Sequence, residues 1–235
     1  MKQSKRCEAK KSRVSPMCGS WPYIPRLQIF HITAARNQAA LASFLHPFCM
    51  QPEIAAQLAA SIETPRLLLE PLCARHADAF FQPLQDDEAL YRWISMAKPA
   101  SLEALRAHWQ RIEHSRMDPD AQFAWPIWAV RRKSDGHCLG RVDAEITDGL
   151  EASNFGFYFF SRYWGQGYAS EAAAAAIEKL TARGVRRFVA TVTVGNQASG
   201  RLLQRIGFQF TRILPGNDVI RGVEMDDEEY VRGVG

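Results

Sequence analysis

The stretch "SRYWGQGYASEAAAAAIEKL", residues 161–180, sets an arginine and two glycines directly ahead of an alanine-rich segment with helical character. Glycine costs backbone entropy, so Gly165 and Gly167 at the mouth of a helix point to a backbone requirement there. The first N–H groups of a helix lack partners inside it, and the helix dipole favours negative charge at that end. A strand feeding a glycine turn and then a helix is therefore a ready anion site. Gly165 and Gly167 let the backbone close around a phosphate without a Cβ in the way, and Arg162 adds a charge-assisted contact. Ala169, Ala172, Ala173 and Ala176 form a thin face that can sit close to a sheet, while Lys179 and Arg183 complement the far end of the dipole. The plainer alternative is a glycine turn that only reverses the chain.

Working outward, "ASNFGFYFF" is a strongly apolar strand running into this stretch, and Gly184 closes the helix as its C-cap. Upstream, "RLLLEPL" reads as a short strand ended by Pro71, followed by a helix over "CARHADAFFQPLQDD". A second helix opens at Ser101, an N-cap, with Leu102, Leu105, Trp109 and Ile112 at helical spacing. "FAWPIWAVRRKSDGHCLGRVDAEIT" reads as two strands around a Ser134–Asp135–Gly136 turn. Downstream come the β-branched "RRFVATVTV", a short helix in "NQASGRLLQRI", a strand in "GFQFTRIL" and a last hairpin through "GVEMDDEEYV". The order β-α-α-β-β-β-α-β-α-β-β predicts one α/β (α+β) domain, a mixed central sheet with helices on both faces.

The chain has 235 residues, and its charge is uneven. Residues 1–61 hold eight Lys/Arg against two Asp/Glu, leaving 21 against 23 for residues 62–235. The near-neutral remainder gives no footprint for nucleic acid. The first 61 residues read as an N-terminal extension: a disordered tail, a basic arm, or translation begun ahead of the true start, with 62–235 as the domain. Five cysteines, at Cys7, Cys18, Cys49, Cys73 and Cys138, include no CxxC pair and no zinc-like spacing with histidine. They fit free thiols in a cytoplasmic protein with no metal. No apolar run approaches a membrane span, so no membrane partner is expected.

The glycine turn is neither GxxxxGK(S/T) nor G-x-G-x-x-G, since Ser170 stands where the third glycine would be. A second element lies in "VGNQASGRLLQRIGF", with Asn196, Ser199, Gly207 and Phe208 at N, N+3, N+11 and N+12. Together the two stretches resemble the GNAT superfamily of acyl-CoA-dependent N-acetyltransferases, over about residues 64–232. "YWGQGYASEA" with "NQASGRLLQRIGF" is most similar to the branch that acetylates N-terminal amines of ribosomal proteins. The resemblance implies the GNAT acyltransferase fold and acetyl-CoA as co-substrate, with no metal. It implies direct transfer of acetyl to a primary amine on a small molecule or a protein N-terminus, by a monomer or homodimer.

By the same resemblance, the N–H groups of Gln166, Gly167, Tyr168 and Ala169 would hold the pyrophosphate of coenzyme A. The main chain of Phe159 and Phe160 would pair with the pantetheine arm, and an N–H near Phe157 to Phe159 would polarise the thioester carbonyl. Asn196 would contact the pantetheine or serve as an N-cap. Ser199 would protonate the departing thiolate, because the N+7 position where many members carry a tyrosine is Leu203. An acid often found two residues before the strand glycine is Asn154 here, which leaves Asp143 and Glu145 of "RVDAEI" as stand-in bases or as ordinary solvated strand carboxylates. Glu171 reads as a structural acid in a helix first turn. The run "EMDDEE" would attract a cationic acceptor if it bordered the cleft, and is otherwise a solvated turn. Two other readings remain: acetylation of a small amine such as a polyamine or drug, and a sensor that holds acyl-CoA without turnover.

Overall fold

In the computed structural model, residues 57–115, 123–147 and 150–234 are described. The expected extension therefore lies, as far as residue 56, outside the described residues. The apolar core already includes Leu58, which is fully buried, four residues ahead of the expected boundary at 62. The Trp128 indole donates to the Ala60 carbonyl at 3.1 Å and fastens this entry segment to the sheet.

Two very short strands were not read from the sequence. β1 (Ile62–Glu63) pairs antiparallel with β2 (Leu67–Pro71), and β3 (Phe123–Ala124) is split from β4 (Ile127–Arg132) around Pro126, which has no N–H to give a ladder. The first expected helix begins as a 3₁₀ turn over Ala74–His76 before α1 (Ala77–Asp86). α2 (Leu102–Ser115) starts where Ser101 was expected to cap it, with the Ser101 hydroxyl accepting from the Ala104 N–H at 3.1 Å.

β5 (Cys138–Thr147) and β6 (Glu151–Phe159) form a long antiparallel pair. α3 (Tyr168–Ala182) follows, then β7 (Arg187–Thr193), α4 (Gln197–Arg205), β8 (Gln209–Ile220) and β9 (Val223–Gly233). The strand order is β1-β2-β4-β5-β6-β7-β9-β8, with β3 on β5. α3 ends as Gly184 predicts: it adopts φ 99°, its N–H reaches the Thr181 carbonyl, and the Val185 N–H reaches that of Leu180.

Register separates the two faces of the sheet. Arg141 faces Tyr158, Asp143 faces Gly156 and Glu145 faces Asn154, so these side chains share one face. Phe80 of α1 packs on Phe160 and on Trp109 of α2, placing both helices over that face. Phe155 packs against Phe188 and Phe208 on the opposite face, with the small buried side chains Ala172, Ala173 and Ala176 of α3 in the same core. Each large side chain removed from water contributes about 1.5–3 kcal/mol, and the core runs continuously from Leu58 to Tyr230.

The only parallel pairing among the described strands joins β6 to β7, and it is short. It runs through Glu151↔Arg187 and Ala152↔Phe188 alone. Beyond that point β6 continues to Phe159 and β7 to Thr193 without pairing with each other, so the sheet opens between them towards the glycine turn.

Candidate active site

The glycine turn sits at the open end of this gap. Gly165 and Gly167 have φ of 74° and 79°, the left-handed region that β-carbon-bearing residues avoid. Gly167 is the N-cap of α3 and supplies no side chain; its carbonyl accepts from the Glu171 N–H at 3.1 Å. Among the described residues, no acceptor meets the N–H groups of Gln166, Gly167, Tyr168 or Ala169. Four donors at the positive end of a fifteen-residue helix are thus left pointing outward.

The turn is held from outside. Glu171 accepts from the Thr64 hydroxyl at 2.6 Å, the Arg66 N–H at 3.0 Å and Arg66 Nε at 2.6 Å. Partial burial pushes the Glu171 carboxyl up, but these bonds outweigh it and hold the group below the usual carboxylate range. Arg66 also donates to the Gln166 carbonyl at 3.0 Å and lies 4.5 Å from the centre of the Tyr168 ring. Arg132 lies over both Tyr163 and Tyr168, and Arg162 sits 4.8 Å over Tyr163. Arg162 is exposed beside the turn, as a contact to an arriving anion requires. Arg66 and Arg132 add positive charge that sequence reasoning missed, because nothing local links them to the turn: Gln166 lies 100 residues beyond Arg66 and Tyr168 lies 36 beyond Arg132.

Strand parity decides which main-chain groups line the gap. The Phe160 N–H donates to the Leu139 carbonyl at 2.9 Å, and the Phe160 carbonyl accepts from Tyr163. Both polar groups of Phe160 are therefore committed within the protein, which removes it from the expected pairing with pantetheine. The alternation of a strand then turns the N–H groups of Phe157 and Phe159 away from β5 and into the gap. The Phe159 carbonyl is taken by the Trp164 indole at 2.6 Å, leaving its N–H available.

Asn196 caps α4, its side-chain oxygen accepting from the Ser199 N–H at 3.3 Å. Its amide group and the Ser199 hydroxyl have no partner among the described residues. Leu203 is fully buried in the core rather than facing the gap. Asp143 is buried and held by Arg141 Nε at 3.1 Å. Glu145 stays partly exposed, with the Ser153 hydroxyl at 3.3 Å. The two acids do share a face, but one Asp143 oxygen is taken by the Arg141 guanidinium.

On that face, the hydroxyls of Tyr91 and Tyr158 are buried without partners among the described residues. Burial pushes Tyr91 up to about 12 and Tyr158 higher still. Tyr91 also borders a cleft of about 450 Å³ between residues 88–98 and the β8–β9 turn. Glu88 bridges this cleft, pairing with Lys98 on one side and with Arg221 at 2.7 Å on the other. The "EMDDEE" run is not a turn: it lies in β9, with Asp226 accepting from the Gly216 N–H, Asp227 from Asn217, Glu228 from the Tyr230 hydroxyl and Glu229 from Arg212. Asp226 to Glu229 are thus engaged by β8 and by β9 itself, which corrects the solvated-turn reading for these four. No group of three or more metal-binding side chains occurs among the described residues, and no described helix is long and apolar enough to cross a membrane.

A mixed sheet opening between two parallel strands, over an uncapped helix start, defines an acyltransferase of the GNAT fold. The family model for the acetyltransferase (GNAT) domain matches residues 66–209, and the chain belongs to that family. A Bacillus subtilis (strain 168) protein named as the uncharacterized N-acetyltransferase YoaA is 24% identical over 171 residues, 72% of this chain and 94% of that one. Among solved structures, the Salmonella typhimurium acetyltransferase that modifies the N-terminal serine of ribosomal protein L7/L12 superposes with a TM-score of 0.64 at 22% identity, covering 74% of this chain and 99% of that one. The microcin C7 self-immunity acetyltransferase MccE, solved with acetyl-CoA and AMP, gives 0.63 at 22% identity, covering 76% and 99%. At such identities the structural likeness speaks for the fold.

Proposed function

We propose that this acetyltransferase moves acetyl from acetyl-CoA directly to a primary amine. The observation that carries the reading is the uncapped start of α3 at the end of a strand, β6, whose edge towards β7 is left open. A pyrophosphate matches the unpaired N–H groups of Gln166 to Ala169, and Gly165 leaves open space where a Cβ would otherwise stand. The solved relative MccE was obtained with acetyl-CoA, which supports the same assignment.

When bound, acetyl-CoA supplies an activated thioester. The rest is the work of this chain. Gln166, Gly167, Tyr168 and Ala169 hold the phosphates, aided by Arg162. The Phe159 N–H orders the pantetheine arm and the Phe157 N–H faces the thioester carbonyl, where a fixed donor favours charge developing on oxygen. The Asn196 amide fixes the arm near its sulfur, and the Ser199 hydroxyl gives the leaving sulfur its proton. The acceptor approaches over the face that carries Asp143, Glu145 and Tyr158, where alignment against the thioester supplies much of the rate. An α-amine, with an ordinary pKa of about 7.7–8.0, is far more often unprotonated at neutral pH than a lysine side chain, so a protein N-terminus asks least of a base.

The test is release of free thiol from acetyl-CoA with a panel of amines and short peptides. Wild-type turnover is expected, and Ser199→Ala should lose at least about tenfold of it while binding coenzyme A as before. Tight cofactor binding with no turnover on any amine would instead make the protein a sensor.

A further inference from the structure

Asp227 is the side chain that neither the fold nor the reading above uses. It is 4% exposed, on β9, between Thr193 of β7 and Leu214 of β8. Its Oδ2 accepts from the Asn217 amide at 2.8 Å, whereas Oδ1 is buried with no hydrogen-bond partner among the described residues. A buried acid oxygen without a partner lowers stability and calls for an explanation outside the packing.

Its position supplies one. Between Leu214 and Asp218 the strand β8 bulges, setting Pro215, Gly216 and Asn217 opposite Asp226 alone, and this bulge roofs Asp227. Register places Asp227 and Thr193 on the same sheet face as Asp143 and Tyr158, the face away from α3. β7 separates Asp227 from the gap, and β7 ends at Thr193. The Val194 N–H then bonds the Asp226 carbonyl at 2.9 Å, and Asn196 and Ser199 follow directly. The carboxyl thus stands across one strand from the open end of the gap, while Asp143 and Glu145 are occupied by Arg141 and Ser153.

We infer that Asp227 reads the acceptor: its Oδ1 receives the ammonium form of a primary amine and, as carboxylate, takes one proton from it, leaving the free amine that attacks. This rests on the acetyltransferase reading above. The balance is complete. One ammonium proton passes to Asp227, the freed amine nitrogen bonds the acetyl carbon, the carbon–sulfur bond breaks with its electron pair on sulfur, sulfur takes the Ser199 hydroxyl proton, and the second proton lost from nitrogen restores Ser199 through solvent. The groups facing Asp227 are Asp218 and Asn217 of β8, Asp226 of β9 and Thr193 of β7. Burial raises its pKa, Asp218 and Asp226 add to the rise, and Asn217 and Thr193 oppose it. As pH falls through that raised value the carboxyl turns neutral and its hold on ammonium ends.

The experiment uses the full chain, acetyl-CoA and the same panel of primary amines from about pH 5 to about pH 9, spanning carboxyl and amine titration. It compares wild type, Asp227→Asn and, as a neighbouring control, Asp226→Asn. Asp227→Asn should lose about 10²-fold or more in kcat/KM for the amine at neutral pH, with unchanged coenzyme A affinity. Wild-type kcat/KM should stay nearly level between the carboxyl and amine pKa values, whereas in Asp227→Asn it should rise about tenfold per pH unit with the free amine. Asp226→Asn should keep the level stretch of the wild-type profile, with its acid limb moved to lower pH by the loss of a neighbouring negative charge, and Asp227→Asn should melt no lower than wild type. Activity of Asp227→Asn within about threefold of wild type, with the same profile, would overturn the assignment. If that variant melts early, a carbon-13 titration of the wild-type Asp227 carboxyl decides: saturating amine should lower its pKa, and no change refutes the role. A wild type inactive on every amine sinks the acetyltransferase reading and this one with it; an active wild type with an indifferent Asp227→Asn sinks this one alone.

Discussion

Gly167 is the position at which the binding argument can be measured. Its φ of 79° is left-handed, and a Cβ built there would meet only Arg66 Nη2, at 3.4 Å. Gly167→Ala therefore brings backbone strain of about 1–2 kcal/mol and little steric conflict. For a domain of this size that is a melting shift of roughly 2–8 °C. Gly167→Glu carries the same strain and adds a negative charge beside the four free N–H groups. Two unit charges about 5–6 Å apart repel by about 3 kcal/mol at an effective dielectric of 20. Since the turn is exposed, screening reduces this to about 1–2 kcal/mol, or roughly 5- to 30-fold in affinity. Calorimetric titration of coenzyme A into wild type, Gly167→Ala and Gly167→Glu, at about 0.02 M and about 0.5 M NaCl, separates the two effects. The Glu variant should bind well below the Ala variant at low salt, and the difference should shrink at high salt. Equal affinities of the two variants at low salt would refute an anion seat at the start of α3.

Two further outcomes follow from side chains already placed. Glu171→Ala removes three accepted hydrogen bonds from Thr64 and Arg66; discounted for the half-exposed Arg66, the loss should be about 2 kcal/mol in chemical denaturation. Because the folded pKa of Glu171 lies below the ordinary value of 4.5, its stabilisation is present above that value and disappears as pH falls through the folded one. Glu171→Gln should flatten that part of the acid limb in melts recorded against pH. Burial raises the Cys138 thiol to about 11. At about pH 8 only about one thiol in a thousand is then ionised, so peptide mapping after native alkylation should find Cys138 unlabelled until the protein is denatured. Rapid native labelling would contradict its place on β5.

What the sequence disclosed was whatever is written locally. The alanine face of α3, the Ser101 cap, the Gly184 stop and the apolar strand ahead of the glycine turn each follow from neighbouring residues and short-range physics. The spacing of Asn196, Ser199, Gly207 and Phe208 marked α4 and its approach to β8 in the same way. Contacts made across the chain were hidden. Glu171 showed as a first-turn acid, but its partners Thr64 and Arg66 lie more than a hundred residues upstream. Phe160 looked available until the bond to Leu139 fixed the strand parity. "EMDDEE" resembled a solvated turn because its balancing groups, Arg212, Asn217 and the Gly216 N–H, belong to β8, and the bulge that brings them there leaves no simple periodic trace.

The placement of β9 between β7 and β8 has a bearing on how the molecule comes into being. During synthesis β8 leaves the ribosome first, yet it can find no ladder until β9 has emerged and slipped in beside β7. For that interval the nascent chain shows two raw edges, together with Phe210, Ile213 and Val219, which stay exposed even in the finished sheet. Closure is a late, long-range event, and the carboxyl of Asp227 arrives with it. Catalytic competence on this reading therefore waits until β9 has left the ribosome and taken its place beside β7.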